Sequence, residues 1–217
     1  MSISRTVIIS CAGMGNRLGL GCTKALVEVC GKPLIVRQLE LLEEEKDIRI
    51  VVGYQADKVI DIVNRYRKDI TYVFNHEYMT NGSGASVSRA MQYANEFIFT
   101  LDGDLLVHPD DMKMMLRNEK EFIGGTEPGS DEPWLLDTFE EDSEYVQAFS
   151  KTIGEYEWTG LSQVRTGRLT PGEGHVFQLL EPILPISLLK VRTKEIDTMN
   201  DYDNAVNWIN NNYIKDN

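Results

Sequence analysis

Two groups of residues in this chain are of types suited to phosphate and metal chemistry. The first is Gly13-Met14-Gly15-Asn16-Arg17, with Lys24 shortly after it. Glycines let backbone N–H groups face an anion with no side chain in the way. The two cations complement each other, because Arg17 offers a planar fork to phosphate oxygens and Lys24 a compact point charge. A glycine turn alone would need neither. The second group is Asp102-Gly103-Asp104, whose carboxylates can share a face and present hard oxygen ligands to Mg2+, or simply make an Asp-Gly turn. Near the C-terminus, period-two spacing puts Glu195 and Asp197 on one face of a strand, with Ile196 on the other. Thr198 and Asp201 fit a loose capping box that opens a last helix, which leaves Asp197 without a local explanation.

These residues need elements to hold them. Val7-Ile8-Ile9 reads as a strand that ends directly in the glycine loop, and Leu26 to Val29 as a short strand before the turn Gly31-Lys32-Pro33. Leu34, Ile35, Gln38, Leu39 and Leu42 then mark one face of a helix. Ile48 to Val52 and Ile70 to Phe74 read as strands, with a helix over Val59 to Val63 between them. This alternation predicts a mostly parallel sheet flanked by helices, with ligands gathered beyond the carboxyl ends of its strands. Gly53 and Asn75 occupy such ends, and Ser83 and Ser86 follow in a polar loop and helix start, where they either cap the helix or bond a base or ribose. Phe97 to Leu101 is a further strand, and a parallel sheet would bring Asp102 and Asp104 beside the glycine loop.

A helix follows over Pro109 to Leu116 and a strand over Glu121 to Gly125. From about residue 126 to 160 the alternation lapses into Trp134 to Phe139 and Tyr145 to Ser150, read as an antiparallel hairpin laid over the sheet to wall an acceptor pocket. Trp134, Tyr156 and Trp158 offer aromatic faces that suit a quaternary ammonium, or ordinary packing. Lys151 is placed to meet a phosphate, and Gly160 lies in a small-residue turn that permits close approach. Gly167 to Gly174 reads as a loop free to move, and Val176 to Ile183 as a helix broken near Pro182.

The row Ala12-Gly13-Met14-Gly15-Asn16-Arg17-Leu18, then Lys24 to Val29 and Gly31-Lys32-Pro33-Leu34, resembles the signature of nucleotidyltransferases that join an NTP to a sugar phosphate or choline-type phosphate. It departs at Thr23, where the family usually has Pro, and at Cys11, where Ala is common. The resemblance extends patchily over nearly the whole chain and is strongest to the bacterial phosphocholine cytidylyltransferases. It implies a GT-A-like Rossmann-type α/β fold, a divalent metal (Mg2+) and pyrophosphate release. It assigns Ala12, Gly13, Gly15, Asn16, Arg17, Gly53, Asn75, Ser83, Ser86 and Asp102 to the nucleotide, and Arg17 and Lys24 to catalysis. Asp104 and Asp197 become the metal ligands, and Trp134, Lys151, Trp158, Gly160 and Glu195 face the acceptor. The expected nucleotide is an NTP, with CTP favoured, and the acceptor a small phosphate or phosphonate such as phosphocholine. A sugar-1-phosphate, an inositol phosphate or an aminoalkylphosphonate is the runner-up. A GT-A-like glycosyltransferase or a non-catalytic nucleotide-binding module belongs to another class; the phosphate-loop signature ahead of the Asp-x-Asp motif separates this chain from the first.

Composition sets the remaining bounds. A length of 217 residues suits one domain, here taken as 1–217 with the hairpin as an insertion. The net charge of -12 argues against a general nucleic-acid partner, though a local cationic pocket or a metal can still bind a nucleotide. No apolar run approaches a membrane span, and Met1 to Arg5 lacks a signal-peptide core, so a cytoplasmic protein without a membrane partner is expected. Cys11, Cys22 and Cys30 have no zinc-type spacing and read as reduced thiols. An oligomer is compatible with all of this.

Overall fold

The computed structural model describes residues 3–15, 18–19 and 21–213. Its elements begin with β1 (Arg5–Cys11), β2 (Glu28–Val29), β3 (Lys32–Pro33), α1 (Leu34–Leu41), β4 (Ile48–Val52), α2 (Ala56–Tyr66) and β5 (Ile70–Phe74). They continue with α3 (Ser83–Ala90), β6 (Phe97–Asp102), β7 (Leu105–Val107), α4 (Pro109–Arg117) and β8 (Phe122–Thr126). The C-terminal part holds β9 (Leu135–Thr138), β10 (Tyr145–Ser150), β11 (Tyr156–Arg165), α5 (Val176–Leu180), β12 (Ile186–Lys190), β13 (Thr193–Glu195) and α6 (Met199–Asn212).

Nine strands form one mixed sheet in the order β5-β4-β1-β6-β11-β8-β12-β10-β9. The half built from β5, β4, β1 and β6 is parallel, as the strand–helix alternation predicts. Its register sets Ser10 opposite Asp102 and Cys11 opposite Val52, so the glycine loop, the acidic turn and Gly53 leave the sheet side by side. The two faces of the sheet are covered separately. Val36 and Leu39 of α1, Val59 and Val63 of α2, and Met112 and Met115 of α4 close one face. Val87 and Ala90 of α3, with Phe177 and Leu180 of α5, close the other. A third apolar cluster joins Ala205 and Ile209 of α6 to Val29, Leu34, Leu106 and Ile196, docking the C-terminal helix behind the carboxylates. Among the described residues no helix is long and apolar enough to cross a membrane.

The structure corrects several expectations. The hairpin of β9 and β10 is not laid over the sheet but continues it: β10 pairs with β12, and β9 also returns to β11 at Leu135 and Leu136. Trp158 to Ser162 is no turn; it is an irregular stretch inside the long strand β11, where the pairing with β8 shifts register. Lys24–Leu26 forms a short 3-10 turn, which delays the small strand to Glu28. The loop ending at Gly174 is tied to α3, since Gly84 N donates to Gly174 O (2.8 Å) and Gly82 N to Glu173 O (2.9 Å).

β13 pairs antiparallel with β7, and this small ladder carries the chain to Asp197. Arg192, just before it, forks onto the Asp111 carboxylate at 2.7 and 2.9 Å. Burial alone would raise the Asp111 carboxyl, but the Arg192 hydrogen bonds and charge hold it below its ordinary value of 3.8. A depressed folded pKa stabilises the fold above the unfolded value and loses that contribution as the pH falls through the folded one. Asp111→Asn should therefore cost about 1 kcal/mol near neutral pH, screening at the half-exposed Arg192 included. In urea melts the variant and wild type should converge as the pH falls below 3.8.

Candidate active site

Lys24 stands where three parts of the chain meet. Its ammonium donates to Asp104 Oδ2 (2.7 Å) and to Asp197 Oδ1, and lies 3.9 Å from Glu195 Oε1. Oxygen atoms of Asp104, Glu195 and Asp197 all lie within 4.8 Å of one another. The Lys24 and Asp104 side chains are each 16% exposed, so water screens these charges only in part. Asp104 Oδ1 is buried with no hydrogen-bond partner among the described residues. An orphaned carboxylate oxygen beside two further hard oxygen donors fits a divalent cation of the Mg2+ type.

The loop that aims Lys24 explains how Thr23 can stand in for proline. Thr23 adopts φ -63, close to the angle a proline ring imposes, and its hydroxyl donates to Cys11 O at 3.3 Å. Leu26 N and Val27 N then close the 3-10 turn onto Thr23 O and Lys24 O. Gly15 takes φ +64 and lies against the stem of Lys24, where a Cβ would come within 2.9 Å of Lys24 Cγ. Glycine loop and lysine thus form one wall. Asn16 and Arg17 lie outside the described residues.

Two cavities meet at this point. The smaller, of about 280 Å³, is lined by Ser10, Cys11, Gly13, Gly15, Thr23, Lys24 and Asp104. The larger, of about 720 Å³, runs from Asp102 and Asp104 past Glu195 and Asp197 to Trp134, Lys151, Trp158, Gly160 and Ser83. Asp104 belongs to both. Asp102 lies on the floor of the larger one, and burial, with Asp104 and Glu195 close by, pushes its carboxyl well above the ordinary range while Lys24 opposes the shift. Gly160, at φ +80, is pressed onto that carboxylate so closely that any side chain there would collide with it.

Other expected residues have different surroundings. Asn75 is 1% exposed and bonds Asn81 Oδ1 and Ser86 Oγ, both at 3.1 Å, while its own Oδ1 accepts from Glu77 N. The structure therefore spends Asn75 and Ser86 on each other; Ser83, the first residue of α3, does reach the cleft. Ala12 is buried, and its carbonyl accepts from Tyr54 N (3.0 Å) beside Gly53. Trp134 packs on Phe177, with ring centroids 4.3 Å apart, and Lys151 Nζ sits 4.4 Å over the Trp134 ring. That ammonium also donates to Glu132 O (2.8 Å), so Trp134 and Lys151 line the cleft as a pair already in contact with each other. Tyr156 lies outside the cleft lining with Lys190 over its ring, and of the two cleft tryptophans only Trp134 has a cation over it among the described residues.

Sequence reasoning missed Glu157, which accepts from Gly129 N (2.8 Å), Ser130 N (3.2 Å) and the Ser130 hydroxyl, and so shapes the rim of the cleft. It also missed His175 and Phe177, whose stacked rings border the same cavity. An aromatic two residues from a histidine ahead of an apolar helix was the only signal for the last pair.

The family model described as "MobA-like NTP transferase domain" matches residues 7–136. The bifunctional protein GlmU of Sulfurimonas denitrificans is 28% identical over 103 residues, 46% of this chain and 23% of that protein. The chain spans about a quarter of the length of the GlmU relatives it matches. Among solved structures, the CTP:phosphocholine cytidylyltransferase LicC from Streptococcus pneumoniae superposes with a TM-score of 0.75 at 21% identity, covering 95% of this chain and 100% of that one. The inositol-1-phosphate CTP transferase from T. maritima does so with a TM-score of 0.74 at 18% identity, covering 92% and 94%. At these identities the likeness establishes the fold.

Removing the ammonium should expose how the carboxylates are held. Lys24→Met removes the ammonium that Asp104 and Asp197 share and that lies 3.9 Å from Glu195, so the metal-free variant should lose on the order of 2 kcal/mol. Added Mg2+ should then raise its melting temperature by more than it raises that of wild type. Thermal melts with and without the cation check both, and a metal-free variant as stable as wild type would contradict the arrangement.

Proposed function

Because the chain belongs to the MobA-like NTP transferase family, we propose that it is a nucleotidyltransferase that moves a nucleotidyl group from an NTP to a small phosphorylated acceptor and releases pyrophosphate. The observation that carries this reading is the meeting of Lys24, Asp104 and Asp197 at the seam between two cavities. An oxygen of the acceptor phosphate attacks the α-phosphorus in line, the bond to the β-phosphate breaks, and the electron pair leaves with pyrophosphate. Catalysis on these terms is positioning and charge neutralisation, with no covalent enzyme intermediate. Gly13 and Gly15 present backbone to the phosphates, Arg17 is assigned the triphosphate from its motif, and Lys24 neutralises charge at the α-phosphate. Asp104 and Asp197 would hold a divalent cation, with Mg2+ as the natural choice for all-oxygen donors. Such a cation supplies charge neutralisation at phosphate oxygens.

CTP as the nucleotide and a phosphocholine-type acceptor are the finer reading. The likeness to LicC supports it. So does the cleft, whose lining includes the carboxylates of Asp131, Glu132 and Glu195 together with Trp158, residue types that suit a cationic head group. The cover of Lys151 over Trp134 favours a second reading, an acceptor of the inositol phosphate or sugar-1-phosphate kind, since it takes one aromatic face out of a cage. Pyrophosphate release measured across four NTPs against phosphocholine, inositol phosphate, sugar-1-phosphates and aminoethylphosphonate decides between them. CTP with phosphocholine should give the highest kcat/KM, and no release with any pair would overturn the enzyme reading. Asp104→Asn and Asp197→Asn should each fold and lose at least about 100-fold in turnover.

A further inference from the structure

Two of the residues that α1 buries are polar: Arg37, whose guanidinium donates to Val29 O, and Gln38. Leu34, Ile35, Val36 and Leu39 are buried there, and Gln38 is buried among them at 1% exposure. Its amide nitrogen donates to Asp102 O (2.7 Å) and to Leu105 O (2.9 Å). Both neighbours are carbonyl oxygens, so only the NH2 end can face them. The other end, Oε1, is then left buried with no partner among the described residues. A leucine at this position would avoid that orphaned oxygen, so the helix carries an uncompensated polar atom in order to present two donors.

Those donors reach the two carbonyls that bracket Gly103-Asp104. Two further backbone groups of the turn are held from elsewhere: Gly103 N donates to Ser10 O (3.0 Å), and Asp104 O accepts from Ile196 N (3.2 Å). Besides the ladder pairings of Asp102 with Ser10 and of Leu105 with Glu195, these four hydrogen bonds hold residues 102 to 105, and one side chain supplies two of them. The bond from Ile196 N also ties the turn to the segment that carries Asp197.

We propose that Gln38 is the positioning residue of the metal-binding turn, setting the aim of Asp104 toward the cation that Asp104 and Asp197 share; this rests on the metal reading given above. Outer residues that orient a metal ligand commonly set 10- to 100-fold in metal affinity. The test is direct titration of the full chain with Mn2+, read by the electron paramagnetic signal of the free ion, with no nucleotide and no turnover. Gln38→Met keeps the volume and removes the donors, and its Kd for Mn2+ should rise by about tenfold or more. Gln38→Asn keeps an amide but shortens its reach, and should shift the Kd in the same direction, which carries the test if the methionine variant does not fold. In turnover, the Mg2+ concentration for half-maximal rate should rise while kcat at saturating Mg2+ returns to within about threefold of wild type, as expected when a ligand's orientation and not the ligand is lost. A folded variant that melts lower but binds Mn2+ with the wild-type Kd would make Gln38 a packing residue and overturn the inference alone. Wild type that binds no Mn2+ would overturn the metal reading, and the inference with it.

Discussion

The ammonium of Lys24 between Asp104 and Asp197 is the interaction on which the rest of the structure turns. Its partners are 80 and 173 residues away in sequence, so the contact exists only once the sheet, the β7–β13 ladder and α6 have all assembled. Three carboxylates gathered within 4.8 Å repel one another, and in a half-shielded site that repulsion is not washed out by solvent. The chain answers with the Lys24 ammonium among them and strong local anchoring around them. Arg192 on Asp111, the Thr198–Asp201 capping box and the pairing of Glu195 with Leu105 each hold one approach to the cluster. The same charge arrangement ready for Lys24 is ready for a divalent ion, and the same lysine is then available to phosphate.

Much of the parallel half is legible in the sequence. β1, β4 and β6 are β-branched or aromatic runs with turn residues at their ends, and α1, α2 and α4 show helical apolar spacing. Strand order was not read from the pattern, but parallel strands of one sheet bring their carboxyl ends to the same edge. That is why a glycine loop after β1 and two aspartates after β6 could be placed side by side, and Ser10 does face Asp102. The resemblance supplied what periodicity could not, namely that Asp197, far away in sequence, belongs with them.

The acceptor half was much less legible, for a physical reason. Its pairings are non-local: β10 finds β12, and β9 finds the start of β11, so nothing in the local pattern of either strand says whether the hairpin covers the sheet or extends it. Side-chain surroundings were hidden there in the same way. Trp134 and Lys151 each look like ligand groups in isolation, yet they meet across the hairpin as a cation over a ring. Asn75 and Ser86 read as polar loop residues, but a buried amide and hydroxyl had to find partners and found each other. Gln38 shows the reverse case: a polar residue on an apolar stripe was visible, and its meaning depended on carbonyls more than sixty residues away.

Nucleotidyl transfer on these terms requires one site to alternate between a lysine and a metal. A crystal structure with Mn2+ and a non-hydrolysable CTP analogue, with the ion located by its anomalous signal, measures this directly. The Mn2+ peak should lie between the carboxylates of Asp104 and Asp197, with the Lys24 ammonium moved off them and onto the phosphates. A peak elsewhere, or Lys24 still bound to both aspartates beside a bound nucleotide, would contradict the exchange.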